Sequence, residues 1–158
     1  MLGMALPFVI LYCTLTLLLA WQDATTGLLP DRLTCPLLWS GLLFHIAIQP
    51  EQLSASVLGA MLGYCSLFAL CWLYRGIRHR EGLGYGDVKF FAALGAWLEW
   101  QKLPMLITLA TGLALLFVCV LALVQRSGRA LKNPLRFGPF LSAAGLISGW
   151  QSWANLLL

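Results

Sequence analysis

The chain has 158 residues, of which 60% are hydrophobic and 10% charged, and its mean hydropathy is +0.83. Soluble domains carry about 25% charged residues, so this composition excludes an ordinary soluble protein and points to an all-α integral membrane protein. The net charge of +4 would suggest nucleic acid in a soluble chain, but here the positive-inside effect accounts for it and no nucleic-acid partner is expected.

A helix needs about 20 apolar residues to cross the hydrocarbon core. Six segments meet or approach that length, at about 2–21, 33–49, 53–74, 88–101, 103–125 and 137–157. They form one membrane-embedded domain over residues 1–158, with no soluble domain, linker or repeat. The first segment has no basic flank and no small-residue cleavage site, so it reads as an anchoring helix. The fourth is short and meets Pro104 close to its end.

The loops set the orientation. Loop 21–32 holds Arg32, loop 75–87 holds Arg75, Arg78 and Arg80, and loop 126–136 holds Arg126, Arg129, Lys132 and Arg136. These three carry eight Lys/Arg, or nine with Lys89, whereas the two intervening turns have only Lys102. Loops 1, 3 and 5 are therefore expected at the cytoplasmic face and both termini on the other side. The basic loops are expected to meet anionic lipid headgroups.

Most of the seven tryptophans (Trp21, Trp72, Trp97, Trp100, Trp150 and Trp153, but less clearly Trp39) fall near segment ends, as an aromatic belt requires. "GAMLG" at 59–63 has the small-xxx-small spacing of close helix packing. The five cysteines show no CxxC spacing and lie mostly in apolar runs, so they read as small hydrophobes rather than metal ligands. His45 and His79 have no ligand cluster around them, and packing and solvation outweigh metal binding.

The only aspartates are Asp23, Asp31 and Asp87. Asp23 ends the first segment and Asp87 begins the fourth, so both are expected at the same cytoplasmic boundary although 64 residues separate them. An acidic residue at membrane depth is a functional-site hypothesis with a partner to be found. Two carboxylates at close range cannot both ionise cheaply. One can then act as general base on a water while the other, protonated, polarises a peptide carbonyl. The bland alternative is a pair of helix caps. Asp31 fits capping well, just after Pro30, and positioning of the active loop is its other reading. Lys89 reads as an interfacial lysine snorkelling to the surface, and tuning of Asp87 is its functional alternative. Gly82, Gly84 and Gly86 permit positive φ and close approach, so the loop around Tyr85 is expected to bend beside a substrate strand. "GYGD" also imitates a potassium-channel filter, but "RGIRHREG" before it cannot form a pore helix.

"GLGYGDVKFFAALGAWLEW" resembles the GxGD signature of the type IV prepilin peptidases, membrane aspartic proteases that process type IV pilins and type II secretion pseudopilins. "DATTGLLPDRLTCP" resembles that family's other aspartate segment, and "RFGPFLSAAGL" its segment before the last helix, with Arg136 where the family has a proline. The resemblance covers essentially the whole chain. It implies that Asp23 and Asp87 are the catalytic pair, that Asp31 is accessory, and that cleavage occurs at the cytoplasmic face of a bacterial inner membrane. It implies a prepilin or pseudopilin substrate, with a basic leader ahead of an apolar helix, and no metal or other cofactor. Typical members are nearly twice as long, carry a CxxC…CxxC zinc segment and also N-methylate their product. The expectation here is a short, peptidase-only form, and the initial Met favours a full-length chain. A presenilin-like protease, with aspartates deeper in apolar sequence, is the nearest alternative enzyme. A non-enzymatic transporter or assembly subunit with a carboxylate relay is the alternative from another class.

Overall fold

The first apolar segment continues past residue 21. In the computed structural model, which describes residues 2–78, 84–125 and 136–157, helix α1 spans Leu2–Thr26. Thr25 and Thr26 hold the last turn by donating their hydroxyls to the Trp21 and Gln22 carbonyls. Gly27 then stops it: its φ is 69° and its N–H donates to the Asp23 carbonyl at 2.9 Å. That is the left-handed cap glycine supplies without steric cost. Asp23 consequently sits inside the last turns of a helix rather than after it.

Pro30, at φ −75° and ψ 140°, leads into α2, Asp31–Ile48. A 3₁₀ turn, Pro50–Gln52, joins α2 to α3, Leu53–Arg78. Helix α4 is Tyr85–Gln125 and α5 is Gly138–Leu157. A straight helix of 41 residues would run about 60 Å, twice the hydrocarbon thickness. α4 instead breaks at Glu99, whose φ of 66° and ψ of 165° are non-helical. This is a region that non-glycine residues enter only under strain. The break lets Leu103 pack over Gly95 in the preceding arm. The fourth and fifth expected segments are thus the two arms of α4, divided at Glu99 rather than near 102, and the first arm starts at Tyr85 rather than at 88. Three stretches, Met4–Thr26, Pro50–Ile77 and Tyr85–Val124, are long and apolar enough to cross a membrane.

Small residues let α3 and α4 touch through their backbones. A Cβ on Gly59 would lie 2.3 Å from the Gly95 carbonyl oxygen, and one on Gly95 would lie 2.4 Å from that of Gly59. Gly63, the other end of the small-residue motif, faces Ala92 Cα at 3.2 Å in the same sense. Ser56 donates to the Ala96 carbonyl beside the Glu99 break. A polar group freed at membrane depth is thereby satisfied within the protein.

Two tryptophans expected in the interfacial belt are instead core residues. Trp97 and Trp153 are 3% and 4% exposed. Trp97 lies against Gly41 and donates its indole N–H to the Leu37 carbonyl at 2.7 Å. Tyr12 packs between them, 4.9 Å from Trp97 and 4.6 Å from Trp153 between ring centres. This cluster ties α1, α2, α4 and α5 together, and its position near segment ends could not reveal its inward direction. Trp21, Trp39, Trp72, Trp100 and Trp150 are exposed, among many exposed aliphatic side chains. His45 is buried, with Nδ1 2.9 Å from the Gly41 carbonyl oxygen. His79, Gly82, Arg80 and the basic residues of 126–135 lie outside the described residues.

Candidate active site

Asp23 comes from the end of α1 and Asp87 from the first turn of α4. Both are buried, at 5% and 9% exposure, and the two carboxyls lie within electrostatic reach of each other. Burying one acidic group in an apolar bundle is costly, and burying two within electrostatic reach of each other is more so.

Asp23 is held from the start of α5. The Gly138 N–H donates to Asp23 Oδ2 at 2.9 Å. The approach is so close that a Cβ on Gly138 would lie 2.6 Å from Oδ2 and 2.8 Å from both Cβ and Cγ of Asp23. The free N–H groups and partial positive charge of a helix N-terminus favour a carboxylate there. Arg136 adds a second tie: its guanidinium donates to the Ala24 carbonyl and lies within electrostatic reach of Asp23. Ser142 completes the attachment, donating to the Gly138 carbonyl at 2.9 Å and to the Thr16 carbonyl at 3.3 Å.

Asp87 is held more loosely. Its backbone N–H donates to the Gly84 carbonyl at 3.1 Å, which starts the helix. Its side-chain Oδ1 is buried with no hydrogen-bond partner among the described residues. An orphaned buried oxygen of this kind calls for an explanation.

Several expectations for the surrounding loop change. Gly84 and Gly86 are not at positive φ; among the described residues Gly27 is the one glycine that is. Tyr85 and Gly86 are already helical, so this part of the segment is regular rather than bent. Gly86 serves close approach: a Cβ there would lie 2.8 Å from the Leu29 Cβ. Loop 27–30 therefore rests directly on the turn that presents Asp87. Tyr85 is 54% exposed and its ring centre is 6.4 Å from that of Phe68. Asp31 does not cap α2, since Pro30 occupies that position and makes no side-chain cap bond. Its carboxylate instead accepts from Lys89 Nζ at 2.7 and 2.8 Å. Lys89 is thus an ion-pair partner across two helix starts, with its side chain still exposed at the surface.

Sequence reasoning left Gly138 and Leu29 without roles and gave Arg136 only a place in a basic, lipid-facing loop. The "RFGPF" segment was visible as a motif, but a hydrogen bond spanning 115 residues has no local signature.

The profile of the type IV leader peptidase family matches residues 10–120, a stretch that includes both buried aspartates. The chain belongs to the type IV leader peptidase family. It is 56% identical to leader peptidase HopD of Escherichia coli over 147 residues, covering 93% of this chain and 94% of that one. It is 54% identical to leader peptidase HopD of Salmonella typhimurium over the same shares of the two chains. The prepilin leader peptidase/N-methyltransferase of Dickeya chrysanthemi is 43% identical over 94% of this chain, but the match covers 54% of that protein. The N-methyltransferase name thus comes with relatives that this chain spans only in part. No solved structure matches the chain. As a member of the leader peptidase family the chain is a membrane protease, and its apolar helices agree with that setting.

Proposed function

We propose that this leader peptidase is an aspartic endopeptidase that removes the basic leader from type IV prepilins or type II secretion pseudopilins. Asp23 and Asp87 are its catalytic pair, and the cut falls at the cytoplasmic face of a bacterial inner membrane. The observation that carries the reading is that two buried carboxyls from distant helices lie within electrostatic reach of each other, one of them with an unpartnered oxygen.

The chemistry follows from that pair. One carboxylate takes a proton from water as the oxygen attacks the scissile carbonyl carbon. The other, protonated, donates to the carbonyl oxygen as it gains charge. The resulting diol collapses, the C–N bond breaks, and the leaving amine takes a proton from the pair. No group on the protein becomes acylated. The Gly138 N–H and α5 N-terminus support a fixed carboxylate at Asp23, and the unpartnered Oδ1 supports Asp87 as the group that meets the incoming reactant. The cytoplasmic placement is supported by the Lys/Arg excess in loops 1, 3 and 5. The exposed aliphatic side chains are the surface that meets lipid.

The test is to incubate the purified protein in detergent with a prepilin and locate the cut by mass spectrometry. A single cut between the basic leader and the apolar helix is expected. A cut inside the apolar helix would replace this reading with a presenilin-like one, and no cut in any prepilin or pseudopilin would overturn it.

A further inference from the structure

Two apolar hollows lie on the outside of the bundle and share a wall. One, of about 760 Å³, lies between α3 and the second arm of α4, with Leu62, Cys65, Trp100 and Pro104 at its far end. The other, of about 460 Å³, is lined by Cys71, Tyr74, Thr111 and Phe137. Leu67, Leu70 and Ile107 line both, so they form one groove. Leu62 and Leu70 are exposed, which leaves the groove open sideways toward lipid.

The near end of the groove lies on the side of the aspartates. Phe137 directly precedes Gly138, whose N–H holds Asp23, and Cys71 lies within electrostatic reach of Asp87. Among the described residues, none that lines the groove at either end is charged. The aliphatic hydroxyls of its lining are turned back onto their own helices: Thr111 donates to the Ile107 carbonyl at 2.7 Å and Ser66 to the Gly63 carbonyl at 3.2 Å. Such a surface suits an apolar helix and offers nothing to a basic leader. From Tyr74 to Leu62 the groove follows α3 for about 18 Å, the length of roughly twelve residues of a helix laid alongside.

We propose that this groove receives the apolar helix that follows the scissile bond of the substrate, entering sideways from the bilayer. The proposal rests on the proteolytic reading above and adds where the substrate lies and which way it runs. The first residues after the cut lie by Cys71 and Tyr74, and later ones by Cys65, Leu62 and Trp100. Bilayer lipid is the competing occupant.

The chain's own cysteines provide the test. Two full-length variants keep either Cys65 or Cys71 as the single cysteine, and a control carries Leu18→Cys alone, an exposed position on α1 outside the groove. Each is first shown to cleave a prepilin, and is then given Asp87→Asn to retain the substrate. Prepilins with one cysteine at successive positions of the apolar helix are added in liposomes and oxidised. Cys71 is expected to cross-link to positions just after the cut. Cys65 is expected to take over about six residues further along, because six helical residues span about 9 Å. Yields at both should exceed the Leu18→Cys control by about tenfold or more. Cleavage without cross-linking above the control overturns the groove and leaves the proteolytic reading standing. Labelling of both cysteines by a thiol-reactive lipid, undiminished by saturating prepilin, assigns the groove to lipid and overturns the proposal. Failure of the parent enzyme to cleave any prepilin removes the proteolytic reading and the groove assignment with it.

Discussion

Replacing Gly138 by alanine changes one methyl group, and the structure gives its consequence in ångströms. The new Cβ would lie 2.6 Å from Asp23 Oδ2, where ordinary contact begins at 3.4 Å. Either Asp23 or the start of α5 must therefore shift by roughly 0.8 Å, and the 2.9 Å bond from the Gly138 N–H stretches with it. A displacement of that size at a reacting group costs about 100-fold in rate, equivalent to about 2.7 kcal/mol of activation free energy. Overpacking adds about 1–3 kcal/mol of lost stability. The assay is prepilin cleavage by Gly138→Ala at a temperature where it remains folded, with kcat and KM measured separately. The loss should fall mainly on kcat, because Leu62, Leu67, Leu70 and Ile107 of the proposed groove are untouched. Gly112→Ala is the matched control: a Cβ there meets nothing within 4 Å, and activity should stay near the parent value. Retention of activity within about threefold by Gly138→Ala would refute the argument that this N–H fixes a catalytic carboxylate.

Other outcomes follow from the same geometry. Gly59→Ala, which places a methyl 2.3 Å from the Gly95 carbonyl oxygen, should cost about 3 kcal/mol or more of stability by forcing α3 and α4 apart, read as a fall in Tm in detergent. Trp97→Phe should cost about 1–2 kcal/mol, since it removes the buried indole N–H that the Leu37 carbonyl accepts. Asp31→Lys should lower cleavage by no more than about fivefold, as befits an exposed ion pair, and the exchange Asp31→Lys with Lys89→Asp should recover most of it. Failure of that exchange to recover activity would mean that the pair does not act by holding loop 27–30 on the Asp87 turn.

Much of this architecture was legible from chemistry alone. Apolar runs of membrane length gave the helical class, and the two aspartates at segment ends are the pair that the fold buries within electrostatic reach of each other. What remained hidden was set by contacts between distant residues. The end of α1 moved because two threonines and a glycine cap carry the helix past Asp23, a local signal outweighed by the loss of apolar residues after Trp21. The fourth and fifth segments looked separated by the Lys102–Pro104 stretch, yet the break is taken by Glu99, and the Gly59–Gly95 contact is what packs that arm. Trp97 and Trp153 have the sequence positions of belt residues, and only the helix rotations turn them inward. Of the two properties expected of the glycines around Asp87, close approach holds at Gly86, which gives room to Leu29, while positive φ does not. Asp31 and Lys89 each had a plausible solitary role, and their pairing across 58 residues carries no local trace.

The account stands on the claim that Asp23 and Asp87 act together, and the most direct measurement compares the parent protein with Asp23→Asn and Asp87→Asn on one prepilin in liposomes. Asparagine keeps the shape and removes the titrating oxygen, so both variants should fold and neither should release the leader above the uncatalysed level. Cleavage at the parent rate by either variant would contradict the two-carboxylate mechanism and return that aspartate to a structural role at its helix end.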